Sequence, residues 1–175
     1  VEDETFLTAL TSQVAIALEN SLLVDELLLS FTSFVSTLSA AVDAKHPFTA
    51  GHSERVKEYS LIIAEEMQLP KDEREILKYA ALLHDIGKIG IRDDILMKVG
   101  TYTLKDWEEM KTHTDKTKAI LNNFHFPPSL REVTEIAYRH HERIDGSGYP
   151  DGLTGDQFPL GAKIIAVADV FDALT

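Results

Sequence analysis

The sequence predicts an all-α fold, in which one long helix precedes a bundle of five or six shorter helices. Apolar residues recur at helical spacing along most of the chain, and the alternation typical of β-strands is almost absent. Prolines and glycines gather in short breaks, where one helix ends and the next begins. With 175 residues, of which 44% are hydrophobic, the chain is large enough to bury one sizeable core.

The predicted long helix lies at the N-terminus, where no proline or glycine occurs between Val1 and Lys45. Ten of the eleven a and d positions of its heptad pattern are apolar. These positions are Leu7, Leu10, Val14, Ala17, Ser21, Val24, Leu28, Phe31, Val35, Leu38 and Val42. A helix of this length spans about 60 Å, which is more than one compact domain needs. The pattern favours a coiled coil that pairs two copies of the chain, while extra apolar positions such as Phe6 also suit packing on its own domain.

The next two helices begin at clear breaks in the pattern. One is predicted over residues 53–67. The other begins near Pro70, a residue that is favoured in the first turn of a helix. It carries His84 and Asp85 before Gly87 ends it.

Two further helices follow in the second half of the chain. Thr103 and Asp106 have the spacing of a capping box, and the helical pattern that they begin continues to Leu121. Ser129 is the predicted cap of a helix that carries the histidine pair at 140–141.

The C-terminal stretch divides into a loop and a last helix. The loop, DGSGYPDGLTGDQFP at 145–159, is rich in glycine, proline and aspartate. The helix, LGAKIIAVADVFDALT at 160–175, is strongly apolar apart from its few charged residues.

Imidazoles and carboxylates are the residues most suggestive of chemistry. There are seven histidines and no cysteine, which excludes disulfides and thiolate sites. A single histidine is usually an ordinary residue, but His84-Asp85 and His140-His141 are adjacent pairs. Asp169 lies in an apolar run, where an unpaired carboxylate is costly. Such a nitrogen and oxygen ligand set suits iron, manganese, zinc, nickel or cobalt, and Asp85 could bridge two ions.

The charge of the chain limits its partners. A formal net charge of −12 argues against a duplex nucleic-acid binder. An acidic protein can still bind a phosphate ligand where metal ions supply local positive charge. No signal peptide and no apolar run long enough for a membrane span are present, so a cytoplasmic location is expected. Because the chain begins at Val1, we expect a longer parent protein, which could be attached to a membrane through another region.

Four stretches resemble the HD-GYP family of metal-dependent phosphohydrolases. They are TAGHSERV at 49–56, HDIGK at 84–88, HHERIDGSGYP at 140–150 and ADVFDALT at 168–175. The resemblance implies an HD-type helical bundle over residues 39–175, preceded by a signalling or dimerisation helix over residues 1–38. Residues 1–24 are weakly similar to the last helix of a GAF domain. The implied activity is hydrolysis of cyclic di-GMP to linear pGpG or GMP by a metal-bridging hydroxide, as the output domain of a signalling protein.

The family resemblance also implies roles for individual residues. The implied metal ligands are His52, His84, Asp85, His113, His140, His141 and Asp169. Lys88 and Asp85 are the implied catalytic residues, and Lys88 would place its charged amino group against a phosphate oxygen. Gly148, Tyr149 and Pro150 would complete the substrate site.

Two departures from the family pattern refine this expectation. Some members carry a glutamate four residues before the first histidine, where this chain has Phe48. We therefore expect two divalent metal ions rather than three, with iron or manganese favoured over zinc, nickel or cobalt. The family usually continues beyond ADVFDALT with a basic stretch, so the domain is expected to be incomplete at Thr175.

Other functions stay open at this point. The chain could bind cyclic di-GMP or a protein partner without turnover. It could also be another enzyme of the HD superfamily, such as a mononucleotide phosphohydrolase or a di-iron oxygenase. The linked HDIGK and HHE…GYP motifs favour the cyclic di-GMP phosphodiesterase.

Overall fold

The computed structural model describes residues 2–45 and 50–175, so Phe48 lies outside the described residues. Over this range the fold is all-α, as predicted: no strand is present, and a single isolated bridge joins Asp145 to Thr154. The α-helices are α1 (Glu2–Asp43), α2 (His52–Glu66), α3 (Lys71–Leu83), α4 (Asp93–Leu96), α5 (Leu104–Lys111), α6 (His113–Leu121), α7 (Val133–Tyr138) and α8 (Leu160–Leu174). Short 3₁₀ turns cover Ile86–Gly90, Pro128–Leu130 and Gly155–Gln157. None of the described helices is both long and apolar enough to cross a membrane.

The chain forms two compact units, Val1–Phe34 and Val35–Thr175. In the first unit the large apolar heptad positions from Leu7 to Leu28 are solvent-exposed, with exposed fractions from 49% at Leu10 to 60% at Val14, whereas Phe31 is half-buried. In the second unit the later heptad positions Val35 and Val42 are buried. The last heptad positions thus belong to the core of the second unit, and the pairing of the seam with another chain stays a prediction.

The centre of the second unit is α3, which packs against α2, α7 and α8. Small, fully buried side chains line these contacts, including Ala64, Ala80, Ala137 and Ala162. Their small size lets neighbouring helices approach closely while the interior stays densely packed. The C-terminal end of α3 lies directly before His84-Asp85, which we call the HD pair. It consequently lies among the helices that carry other candidate ligands.

Two side chains fix the elements that follow α1: Asp43, its last residue, and Lys45, two residues beyond it. The buried carboxylate of Asp43 accepts hydrogen bonds from the backbone N–H of Ser53 at 3.0 Å and from its hydroxyl at 2.7 Å. Lys45 donates to the carbonyl oxygens of Ile89 and Ile91, both at 3.1 Å. These bonds satisfy an otherwise open N-terminus of α2 and hold the 3₁₀ turn after the HD pair.

The helix predicted to run from Thr103 to Leu121 is in fact two helices, α5 and α6. The predicted capping box at its start is confirmed, since Thr103 and Asp106 exchange side-chain and backbone hydrogen bonds. The break at Thr112 has a local cause. The side chains of residues 112–114 bond to the carbonyls of residues 109–111 at 2.6–2.9 Å. Side chains that occupy these carbonyls compete with the helical backbone bonds.

The predicted helix positions of both adjacent pairs were wrong. Helix α3 ends at Leu83 and α7 ends at Tyr138, so each pair lies in the turn that follows its helix. In both cases the first histidine of the pair bonds to a carbonyl of the last helical turn. Ser129 lies within a 3₁₀ turn beside Pro128 and does not cap α7.

Candidate metal centre

Three buried histidines use the same hydrogen bond to fix their rings. Nδ1 of His84, His113 and His140 lies 2.7–2.8 Å from the carbonyl oxygen of the residue three positions earlier. Because a carbonyl can only accept, Nδ1 donates, and the neutral ring then carries its lone pair on Nε2. The three Nε2 atoms are buried and have no hydrogen-bond partner within the described ranges. Buried polar atoms rarely stay unpaired, so these nitrogens fit a metal ion.

The carboxylate of Asp85 lies between two groups of histidines. Its Oδ2 is 3.2 Å from Nε2 of His84 and 3.7 Å from Nε2 of His52. Its Oδ1 is 3.4 Å from Nε2 of His113 and 3.9 Å from Nε2 of His140. Each oxygen therefore faces a different group, which is the arrangement that a bridging carboxylate needs.

All seven predicted metal ligands lie in one cluster around Asp85. Three sets have ligand atoms within 4.8 Å of one another: His52, His84 and Asp169; His113, His140 and His141; and His84, Asp85 and His140. We call the first set the Asp169 group and the second the triple-histidine group. Their imidazole and carboxylate donors match the ligand preferences of first-row transition metals. The predicted ligand roles thus fit the geometry and stay predictions.

Burial keeps the triple-histidine group neutral. Burial, followed by the nearby His84, lowers the pKa of His140 to about 3. Burial also lowers the pKa of His113 and holds the pKa of His141 well below its usual range. Uncharged imidazoles can bind a metal ion without first losing a proton.

The Asp169 group has the opposite electrostatic character. Burial works to lower the pKa of His52, but hydrogen bonds to Asp169 and Asp172 outweigh it and raise the value to about 9. Burial disfavours the charged form of Asp85, yet Lys88 and His84 hold its pKa well below the usual range. This side of the cluster therefore holds ion pairs, in which His52 is protonated at neutral pH.

Asp172 is a supporting residue that the sequence analysis missed. Its carboxylate lies 2.8 Å from Nδ1 of His52 and accepts hydrogen bonds from Nε and Nη2 of Arg55 at 2.7 and 3.0 Å. It thereby orients the ring of His52 so that Nε2 faces Asp169 and Asp85. The sequence held a signal for it: Asp172 lies in the same apolar helix as Asp169, and the cost of an unpaired carboxylate applies to both.

Glu142 is the second residue that was missed. It is 2% exposed and accepts backbone N–H bonds from Asp151, Gly152 and Leu153 at 2.6, 3.1 and 2.9 Å. These bonds fold the glycine-rich loop back onto the residue that follows the histidine pair. No side-chain pattern could reveal them, because every donor belongs to the backbone.

Gly148 brings that loop against the backbone of the ligand segment. A Cβ at this position would lie 2.3–2.6 Å from backbone atoms of His141, Glu142 and Arg143. Since no side chain fits in that space, the glycine is required by the close approach of the two backbones.

The cluster of candidate ligands opens onto a cavity of about 1050 Å³. His140, His141 and Asp169 contribute to its wall. Among the predicted substrate residues, Gly148 and Tyr149 also line it, whereas Pro150 and Lys88 are not among its lining residues. Lys88 instead forms an ion pair with Asp85. The substrate roles of these four residues stay predictions.

Comparison with known proteins identifies the family. A family model described as "HD domain" matches residues 36–175. The chain belongs to the HD domain family. The predicted resemblance is therefore confirmed, while the weak GAF similarity of residues 1–24 stays a prediction.

Several curated relatives of this HD domain are phosphodiesterases by name. The chain is 43% identical to 3'3'-cGAMP-specific phosphodiesterase 3 of Vibrio cholerae, over 81% of the chain and 30% of that protein. It is 42% identical to the cyclic di-GMP phosphodiesterase response regulator RpfG of Xanthomonas campestris, over 80% of the chain and 37% of the relative. A cyclic di-GMP phosphodiesterase of Thermotoga maritima is 48% identical over 72% of the chain and 34% of its own length. The chain thus spans about a third of the length of these relatives.

A solved structure shares the fold. Bd1817, a HDG"Y"P protein from Bdellovibrio bacteriovorus, superposes with a TM-score of 0.60. The match covers 70% of this chain and 40% of Bd1817, at 24% sequence identity. At that identity the likeness supports the helical architecture alone.

Proposed function

We propose that this HD domain is a metal-dependent phosphodiesterase that hydrolyses cyclic di-GMP to linear pGpG or GMP. The observation that carries the proposal is the position of Asp85, whose two oxygens face two separate groups of ligands beside a large cavity. The names of the curated relatives, which specify cyclic di-GMP or 3'3'-cGAMP, support this substrate class.

The ligand groups suggest how two divalent ions would be held. The Asp169 group would hold one ion and the triple-histidine group the other, and Asp85, which faces both groups, would be a ligand shared between them. Iron or manganese suits this mixed donor set, with zinc, nickel and cobalt as alternatives. When bound, such a metal pair supplies Lewis acidity and a nucleophilic hydroxide at neutral pH.

The remaining steps belong to side chains of the protein. Asp172 keeps the ring of His52 in place, and Glu142 keeps the loop that forms part of the cavity wall in place. Lys88 is mostly buried; burial works to lower its pKa, but Asp85 outweighs that effect and raises it. The lysine therefore stays charged, and we propose that it donates to a phosphate oxygen as negative charge develops in the transition state.

An assay of the metal-loaded protein tests the proposed activity. The protein is incubated with cyclic di-GMP, and in parallel with 3'3'-cGAMP, after loading with iron or manganese. Appearance of linear pGpG or GMP, measured by chromatography and mass spectrometry, is the expected result. If cyclic di-GMP binds but no product forms with iron, manganese, cobalt, nickel or zinc, the non-catalytic binding module is the better description.

Metal uptake should differ in pH dependence between the two groups. A raised pKa means that His52 holds a proton at neutral pH, which a metal ion must displace. Binding to the Asp169 group should therefore release protons and strengthen as pH rises towards about 9. The triple-histidine group is already neutral and should bind with little proton release near pH 7.

Calorimetry in buffers of different ionisation enthalpy measures this proton release. We expect one metal-binding event whose apparent enthalpy depends on the buffer and one whose enthalpy does not. Equal proton release by both events would contradict the assignment of the two groups.

We also propose that α1 joins two copies of the chain and that the second unit is the output domain of a signalling protein. The exposed apolar seam supports the first idea, because such stripes usually mark an interaction surface. Replacing Leu10 and Leu28 together with lysine should halve the mass measured in solution. If the protein is a monomer both before and after the change, the predicted coiled-coil dimer is contradicted.

A further inference from the structure

Aromatic rings extend from the cluster of candidate ligands along the wall of the cavity. The ring of Tyr149 lies 4.7 Å from that of His141, with an angle of 35° between the planes. The ring of Trp107 follows at 6.2 Å from Tyr149 and is nearly perpendicular to it, at 78°. Two ring contacts therefore connect a candidate metal ligand to Trp107, which lines the cavity and is 42% exposed.

The ammonium group of Lys111 lies beside the rings of both Trp107 and Tyr149. The ammonium of Lys111 lies 5.9 Å from the ring centre of Trp107 and 5.9 Å from that of Tyr149. Its ion pair with Glu108, at 2.9 Å, is on the exposed side, where Glu108 has 71% of its side chain in solvent. This position combines two aromatic faces with a positive charge.

The cavity wall is more basic than the chain as a whole. Lys111, Arg143 and Lys163 line it, although the formal net charge of the chain is −12. The acidic side chains of the wall are already bonded within the protein. Glu142 accepts backbone N–H bonds, Asp145 accepts from Ser147, and Asp169 faces His52; these three are the acidic lining residues.

We propose that Trp107, Tyr149 and Lys111 form a nucleobase subsite, in which a purine of the dinucleotide stacks on Trp107. This inference rests on the proposed function, because it places the substrate's phosphate at the cluster of candidate ligands. An exposed aromatic face beside a cation, as at Trp107, is a feature on which bases stack in nucleic-acid-binding proteins. A base joined to a phosphate at the cluster would meet Tyr149 first and Trp107 next.

The chain offers a direct optical test, because Trp107 is its single tryptophan. The metal-loaded protein is titrated with GMP and, as a probe without a base, with ribose 5-phosphate, while tryptophan fluorescence is recorded. Stacking predicts that GMP quenches the fluorescence and that ribose 5-phosphate leaves it unchanged. If both probes quench the fluorescence equally, or if neither changes it, the proposed subsite is contradicted.

A kinetic test separates stacking from a structural role of the indole. Trp107→Ala should raise KM for cyclic di-GMP about 10- to 100-fold, which corresponds to the loss of one base–aromatic stack. It should change kcat far less. Trp107→Phe keeps a ring and should stay within about threefold of the parent KM. A matched control is Phe124→Ala, because Phe124 is 39% exposed but is not among the lining residues.

The two tests distinguish failure of the subsite from failure of the proposed function. Quenching by GMP without any turnover of cyclic di-GMP would support the subsite and contradict the proposed phosphodiesterase activity. Turnover of cyclic di-GMP with an unchanged KM in Trp107→Ala would support the phosphodiesterase activity and contradict the subsite. If Trp107→Ala does not fold, Trp107→Phe together with the fluorescence titration still decides, since a KM raised tenfold in the phenylalanine variant contradicts simple stacking.

Discussion

Asp85→Asn is expected to lower turnover of cyclic di-GMP by about 10³-fold or more and to leave the purified protein with less bound metal. Asparagine has the shape of aspartate but no charge, and its amide nitrogen cannot bind a metal as a carboxylate oxygen does. The loss should be large because Asp85 is the carboxylate whose oxygens face both ligand groups. Metal analysis and steady-state kinetics on the same preparation measure the two effects together.

Asp172→Asn is the matched comparison for this change. Asp172 is also an aspartate and contacts the candidate ligand His52, but it faces no other candidate ligand in the described contacts. Losing a hydrogen-bond partner of a ligand typically costs 10- to 100-fold in metal affinity or activity. A loss in Asp85→Asn no larger than in Asp172→Asn would mean that Asp85 does not bridge two ions.

The residues that meet in the candidate metal centre could be predicted from the sequence because metal chemistry restricts the choice of side chains. His84-Asp85, His140-His141 and Asp169 stand out once an apolar setting makes each unpaired polar group costly. The capping box at Thr103 was equally predictable, since its partners are three residues apart. In both cases the signal is local, or it consists of residue types that are rare in a core.

The ends of the helices could not be predicted in the same way. His84 and His140 bond to carbonyls of the last turn of α3 and α7, and the chain leaves the helix at that point. A helical pattern in the sequence records which faces are apolar, and it does not record which side chain takes a carbonyl. The apolar setting of Asp172 marks it as a residue that needs a partner, but the partner itself could not be identified, because 117 residues separate Asp172 from Arg55.

Gly87→Ala is expected to lower the free energy of unfolding by about 3 kcal/mol or more, which is at the upper end for overpacking of a buried site. A Cβ at Gly87 would lie 1.9 Å from the carbonyl oxygen of His113 and 2.5 Å from the backbone nitrogen of Thr117. Both atoms belong to the backbone of α6, so the helix itself would have to move. That movement would also displace His113, and metal content should fall together with stability.

Gly90→Ala is the matched control, because Gly90 ends the same 3₁₀ turn. The atoms nearest to its added Cβ, at 2.7 and 3.2 Å, belong to the flexible side chain of Lys116, which can rotate away. The cost should stay below about 1 kcal/mol, as at most surface sites. Urea unfolding of both variants measures the difference, and equal costs would refute the close packing of the turn on α6. If Gly87→Ala alone is destabilised, Gly87 is needed because only glycine lets the 3₁₀ turn after His84-Asp85 lie against α6, the helix that begins with His113.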